Sequence, residues 1–97
     1  MKMIWIAYDE ALEHDVQTAL AAGGPDIGFT EWRRVAGRGH RSEPHLMTPV
    51  WPKGNHVLMT CVPDDAAARC MTALRDLRQV VGRQGLKAFV VPVDDLT

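Results

Sequence analysis

Residues 56–65 read HVLMTCVPDD, and they specify two of the main elements of the domain. The first seven residues are almost all apolar, which predicts a strand over 56–62 that is covered on both sides. Pro63 suits the first turn of a helix, and Asp64 and Asp65 place negative charge at that helix's positive end. The sequence therefore predicts a central strand that runs directly into a helix.

The residues that follow complete this helix and add a last strand. Apolar residues recur at helical spacing over 64–81, and Gly82 is the residue type that ends a helix. Residues 86–93, LKAFVVPV, are typical of a strand. Because proline cannot donate to a strand ladder, Pro92 indicates an edge strand or a strand end.

The residues that precede the central strand predict two more strands and one helix. Residues 2–8, KMIWIAY, have the composition of a central strand, and Asp9 can cap a helix over about 10–22 that Gly23 and Gly24 end. Residues 29–36, FTEWRRVA, alternate charged with aromatic or branched residues, which indicates a strand with one wet face.

The order of these elements is strand, helix, strand, strand, helix, strand. It predicts one α+β domain over 1–97 with a ferredoxin-like βαββαβ arrangement, in which a four-stranded antiparallel sheet carries both helices on one face. The other face has no cover, so we expect copies of the chain to associate across it. Trp5 and Trp32 are expected in the core or in that interface.

Residues 37–55, GRGHRSEPHLMTPVWPKGN, form a long loop with three prolines and no sustained period. Loops of this length are usually functional, so we expect a mobile segment that carries activity. Met47 and Trp51 are apolar residues in this polar setting. They are candidates for contact with a partner protein, although Trp51 could instead pack back onto the domain as a lid.

The composition of the chain argues against several classes of partner and location. Eleven basic and twelve acidic residues give a formal charge of −1, which argues against a nucleic-acid or membrane-surface partner. The first apolar stretch is too short for a signal peptide or for membrane insertion. Cys61 and Cys70 fit no metal-pair spacing and fall in a predicted strand and a predicted helix, so a disulfide framework is not indicated. A cytoplasmic location is therefore expected.

Two motifs, together with the element order and the long loop, resemble the PII signalling protein family. One is VAGRG at 35–39, similar to the end of strand two in that family, and the other is GRQGLKAFVVPVDD at 82–95, similar to the family's phosphate-gripping B-loop and last strand. The loop 37–55 would be its T-loop, and it contains no tyrosine, so the resemblance is to a subgroup that is not uridylylated. The resemblance implies a homotrimer that binds an adenine nucleotide (ATP, ADP or AMP) between subunits and regulates a membrane transporter or an enzyme.

The predicted effector site follows from the same motifs. Two glycines and two basic residues at 82–87 could hold a phosphate or carboxylate through backbone N–H groups and Arg83 or Lys87. The alternative is that these residues only cap the helix and complement its negative end. The candidate effector-binding residues are Gly37, Arg38, Gly39, Arg83, Gly85 and Lys87.

The second hypothesis is a divalent-metal-binding protein, because the related CutA proteins of metal tolerance share the expected fold. Its candidate ligands are His40, His45 and His56, with Met47, Met59 and Cys61 nearby in sequence. No close-spaced pair is present, so solvated loop histidines are the alternative.

Catalysis finds little support, since the chain has no G-x-S-x-G, no Walker A and no H-E-x-x-H motif. Its paired acids fall at element ends, where caps are expected. We therefore expect no enzyme activity. A third possibility, a small dimeric monooxygenase, would require a deep apolar pocket within each subunit.

Overall fold

The computed structural model of the chain describes residues 1–40 and 43–97. Within them, six main elements follow the predicted order, with bounds that differ from the predicted ones by at most two residues outside the first helix. The elements are strand β1 (Lys2–Asp9), helix α1 (Glu13–Leu20, extended at its two ends by short 3-10 turns, Glu10–Leu12 and Ala21–Gly23), strand β2 (Thr30–Val35), strand β3 (Asn55–Val62), helix α2 (Asp64–Val81) and strand β4 (Leu86–Pro92).

The four strands form one antiparallel sheet in the order β2-β3-β1-β4. Ile4 of β1 lies opposite Thr60 of β3 on one side and opposite Val90 of β4 on the other. The predicted ferredoxin-like architecture is thus confirmed. Strands β1 and β3 are central, and Pro92 ends the edge strand β4, where its missing N–H breaks no ladder.

The core lies on one face of the sheet, under both helices. Alternate residues of β1 (Ile4, Ile6 and Tyr8) are buried there, because side chains along a strand point to opposite faces. The helices contribute the other half of the layer, chiefly Val16, Leu20, Ala67, Cys70 and Leu74. A side chain at Gly23 would collide with Ile27 and would come within 2.6 Å of the Cys70 sulfur. Close packing of the two helices therefore depends on that glycine.

The opposite face of the sheet is apolar and uncovered. Its centre is a stacked pair, Trp5 and Trp32, whose ring centroids are 5.9 Å apart with an interplanar angle of 17°. Trp32 is 44% exposed and Phe89, opposite Trp5 on β4, is 53% exposed. The two tryptophans are not in the protomer's core, so the interface alternative is the one that the structure favours.

Strand β2 alternates as predicted, but the side chain of Glu31 faces the helices, while the two arginines of the strand stay exposed. Glu31 lies opposite Leu58, on the helix-covered face, whereas Trp32 lies opposite Val57 on the uncovered face. The ladder then shifts register between Trp32 and Val35, where Arg34 adopts a positive φ of 51°. The edge strand therefore turns one carboxylate inward and an indole outward.

Neither helix of the described residues combines the length and the hydropathy of a membrane-spanning segment.

Candidate functional site

One end of the sheet brings the long loop and the turn before β4 together. There β1 ends at Asp9, which lies opposite Asn55, the first residue of β3. Strand β2 ends at Val35, also paired with Asn55, and β4 begins at Leu86, opposite Tyr8. Antiparallel pairing thus places both predicted halves of the effector site at the same end of the domain.

Asp9 connects these segments. Its backbone N–H donates to the Gly85 carbonyl at 2.8 Å, which fixes the turn before β4. Its Oδ1 accepts from the Ala11 N–H at 2.9 Å, the helix cap that the sequence predicts. Its Oδ2 lies 4.0 Å from Nε2 of His45, and both side chains are almost completely buried.

His45 closes the start of the loop. It forms a two-way backbone pair with Gly37, each N–H donating to the other's carbonyl at 2.8 Å. Its Nδ1 lies 2.7 Å from Oδ1 of Asn55, whose amide nitrogen packs directly against Gly37. We call this set of residues the loop base, and its members are Asp9, Gly37, His45, Asn55 and Gly85.

The second half of the loop forms a turn of its own. Thr48 donates its N–H to the Trp51 carbonyl at 2.9 Å, and its hydroxyl accepts from the Trp51 N–H at 3.0 Å. Met47, with a positive φ of 55°, packs its side chain over Gly54. Leu46, Met47, Val50 and Trp51 all remain exposed. The loop is therefore internally hydrogen-bonded and presents apolar side chains, while its mobility stays a prediction.

Arg34 ties this turn to the first helix. Its guanidinium donates to Glu10 at 2.8 Å and to the Pro52 carbonyl at 3.2 Å. The positive φ of Arg34 accompanies the register shift at the end of β2. The irregular end of β2 thus positions the outgoing part of the loop.

The predicted effector-binding residues divide into two groups. Gly37 and Gly85 belong to the loop base, whereas Arg38, Gly39, Arg83 and Lys87 are exposed around it. Lys87 lies opposite Ala7 on the uncovered face, with its Nζ 5.9 Å from the centre of the Phe89 ring. The ion pairs between residues of the ranges 1–40 and 43–97 include none of the three basic side chains.

The predicted metal ligands do not come together within one protomer. His40 is exposed, His45 is buried in the loop base, and His56 is buried on the helix-covered face. In the described part of the chain, the group of His, Cys, Asp or Glu residues close enough to share an ion contains His56 with Glu13 and Glu31. A site built from the three histidines thus stays a prediction that would need several subunits.

A second polar group, which the sequence reasoning missed, lies at the β2 edge of the helix-covered face. The Tyr8 hydroxyl donates to Oε1 of Glu31 at 2.7 Å, and His56 packs edge-on against the Tyr8 ring with centroids 5.6 Å apart. Burial, reinforced by the bond to Glu31, raises the pKa of Tyr8 well above its usual range. Arg33 bridges Glu13 and Glu31 from the solvent side. We call this group the edge cluster, and its members are Tyr8, Glu13, Glu31, Arg33 and His56.

Two hollows on the described protomer lie away from both groups. Both are open depressions, one along α2 beside Arg69 and Asp76, the other between Gln17 and Phe29. Neither is the deep apolar pocket that a monooxygenase would require.

This combination defines a class of structure: a ferredoxin-like βαββαβ domain with a long segment between strands two and three. No protein-family model matches the chain, and no curated protein matches it. Solved structures do. One is CPII, a nitrogen regulatory PII-like protein from Thiomonas intermedia K12 bound to ADP, AMP and bicarbonate, with a TM-score of 0.71 and 18% identity over 93% of this chain and 82% of that one.

Two further solved structures have a similar fold. A PII-like signalling protein from Thermus thermophilus is 22% identical, with a TM-score of 0.64 over 93% of this chain and 83% of that one. The apo form of CPII has a TM-score of 0.67 at 13% identity, over 93% of this chain and 85% of that one. At these identities the likeness establishes the fold.

Proposed function

We propose that this chain is a PII-like regulatory protein that binds an adenine nucleotide between the subunits of a homotrimer and signals through the loop 37–55. The observation that carries the proposal is the loop base. It joins the loop, through Gly37 and His45, to the turn before β4, through Asp9 and Gly85. A ligand that contacts the turn before β4 could therefore change the conformation of the loop through these hydrogen bonds.

The charge pattern around the loop base supports an anionic ligand. Arg38, Arg83 and Lys87 are exposed near the segments that meet there, and no carboxylate of a described residue pairs with them. Glycines at 37, 39, 82 and 85 leave backbone close to the surface. Such backbone with flanking basic side chains is suited to phosphate groups. CPII, which shares the fold, has been solved with ADP and AMP.

The uncovered face supports assembly. Trp5, Trp32 and Phe89 present a contiguous apolar surface that a lone protomer would leave in water. Lys87 stands on the same face. Association across the sheets would place this lysine at the border between subunits, where a nucleotide could contact two chains.

The signal would be a change in the loop. A ligand shifts a conformational equilibrium only by as much as it binds the two states differently, so the effector must contact the loop base in one state more than in the other. The exposed apolar side chains of Met47, Val50 and Trp51 would then be the surface that a transporter or an enzyme recognises. On this proposal the chain itself catalyses no reaction.

Calorimetric titration with ATP, ADP and AMP, at a concentration where light scattering shows the assembled form, tests the proposal. Lys87→Ala should weaken nucleotide binding by about 10- to 150-fold, the equivalent of a charged hydrogen bond of about 1.5–3 kcal/mol. Arg75→Ala, which removes an exposed basic side chain from α2, is the matched control and should bind like the parent. Bicarbonate is titrated into the nucleotide complex, since CPII was solved with it.

Two results would overturn the proposal. One is the lack of heat with all three nucleotides at millimolar concentration while the protein is assembled and folded. The other is a monomer at every working concentration, which would leave no cleft between subunits. Nucleotide binding with equal affinity in Lys87→Ala would remove Lys87 from the site.

A further inference from the structure

The edge cluster holds a buried nitrogen that lacks a partner. The side chain of His56 is 6% exposed, and its Nδ1 makes no hydrogen bond within the described structure. The Oε1 atom of Glu31 lies 3.7 Å from this nitrogen, which is beyond hydrogen-bonding distance, and it already accepts from Tyr8. A buried polar group left without a partner costs about 1–3 kcal/mol, so this nitrogen is suited to a ligand.

The groups around that nitrogen are metal ligands in type and spacing. Glu13, Glu31 and His56 each offer an atom, and the three atoms lie within 4.8 Å of one another. An imidazole nitrogen with two carboxylate oxygens is a set that Zn²⁺ accepts at about 2.0–2.2 Å per bond. Magnesium and calcium prefer oxygen alone, so the imidazole selects against them.

Arg33 occupies the position that a cation would take. Its guanidinium contacts Glu13 and lies 3.4 Å from Oε2 of Glu31, and thus neutralises the two carboxylates. The Arg33 side chain is 61% exposed, so its guanidinium can turn to solvent when another cation neutralises the carboxylates in its place. The Tyr8 hydroxyl would keep its bond to Glu31 and orient that carboxylate from behind, as outer-shell donors do in metal sites.

We propose that Glu13, Glu31 and His56 form a binding site for Zn²⁺, which displaces the Arg33 guanidinium and fills the vacant partner position of His56 Nδ1. Three protein ligands leave one position for water. Bound there, the ion links the start of α1 to strands β2 and β3. The site lies within one protomer and is independent of the nucleotide site and of the proposed regulatory function.

Calorimetry with ZnCl2 on the metal-free, full-length protein tests the site, with MgCl2 as the comparison titrant. One Zn²⁺ per chain is expected, with at least tenfold weaker binding in Glu13→Gln, Glu31→Gln and His56→Gln. Arg33→Gln should instead bind Zn²⁺ more tightly, because the competing cation is gone. His40→Gln and His14→Gln, which remove exposed histidines, are matched controls and should bind like the parent.

The variants separate this site from other zinc-binding groups. No zinc binding in the parent, unchanged affinity in Glu13→Gln, or weaker affinity in Arg33→Gln each overturns the proposal. Loss in His40→Gln alone would place the ion in the loop and would equally overturn it. Glu13, whose side chain is 31% exposed, decides the matter even if His56→Gln fails to fold. In the parent, the NMR shift of the His56 Nδ1 on zinc addition gives a direct second readout.

Discussion

Replacement of Asn55 by alanine should open the loop base without disturbing the core. The substitution removes the Oδ1 atom that lies 2.7 Å from Nδ1 of His45. Because His45 is only 4% exposed, the loss of that partner should cost about 1–3 kcal/mol. The backbone pairing of Asn55 within β3 is unaffected, so the sheet should stay intact.

Amide hydrogen exchange is the decisive assay, because the two N–H groups of the Gly37–His45 pair report on the loop base alone. A local loss of about 1–3 kcal/mol should accelerate their exchange by about 5- to 150-fold. Protection in β1 should change far less. Thr48→Ala, which removes the hydroxyl from the second turn of the loop, is the control and should leave the Gly37 and His45 amides protected.

A double-mutant cycle with His45→Ala checks the assignment of the energy to this contact. The free energy of unfolding in urea, measured at one protein concentration, should show a coupling of about 0.5–3 kcal/mol between Asn55 and His45. Asn55 does not hold the loop base if the two substitutions add without coupling and the Gly37 amide exchanges in Asn55→Ala as it does in the parent. The loop would then be held by contacts other than the buried imidazole.

Three further outcomes are expected. Tyr8, the chain's one tyrosine, has a pKa raised by burial. Its neutral form therefore stabilises the fold fully below the unfolded pKa of about 10, and this contribution is lost as pH rises further. Phenolate absorbance should appear together with alkaline unfolding, and a phenolate that forms in the folded protein near pH 10 would contradict this. Trp32→Gln should shift the assembly toward monomer in light scattering with the circular dichroism spectrum unchanged, and an unchanged mass would remove the uncovered face from the interface. Gly23→Ala should lower the free energy of unfolding by about 1–3 kcal/mol in urea, because the added methyl collides with Ile27 and crowds Cys70. An unchanged midpoint of urea unfolding would show that the two helices separate at no cost.

Local chemistry made most of the fold predictable. The apolar run at 56–62, the acids that follow Pro63 and the glycine at 82 each specify an element or its end, and all three predictions are confirmed. The uncovered face could also be predicted, because two helices cover only one side of a four-stranded sheet. The alternation of β2 did not show which of its two sets of alternate side chains faces the helices.

The edge cluster and the buried role of His45 were missed for a different reason. Their members come from separate elements, and only the pairing register brings them together, as when Glu31 aligns with Leu58. One signal was available: His56 has the same strand parity as the buried Leu58, so it had to point inward and to need a partner. Asp9 was predicted as a helix cap, which is confirmed, but its position beside His45 follows from the loop's path and not from local sequence.

The placement of the three indoles gives the molecule two separable optical reporters. Trp5 and Trp32 are stacked on the bare side of the sheet, and Trp51 sits in the turn of the long loop. Dissociation of an assembly on dilution would expose the stacked pair and shift its emission to longer wavelength. An effector that rearranges the loop would instead change the emission of Trp51. A Trp51→Phe variant isolates the first reporter, so one fluorimeter could follow subunit exchange and ligand response as independent events.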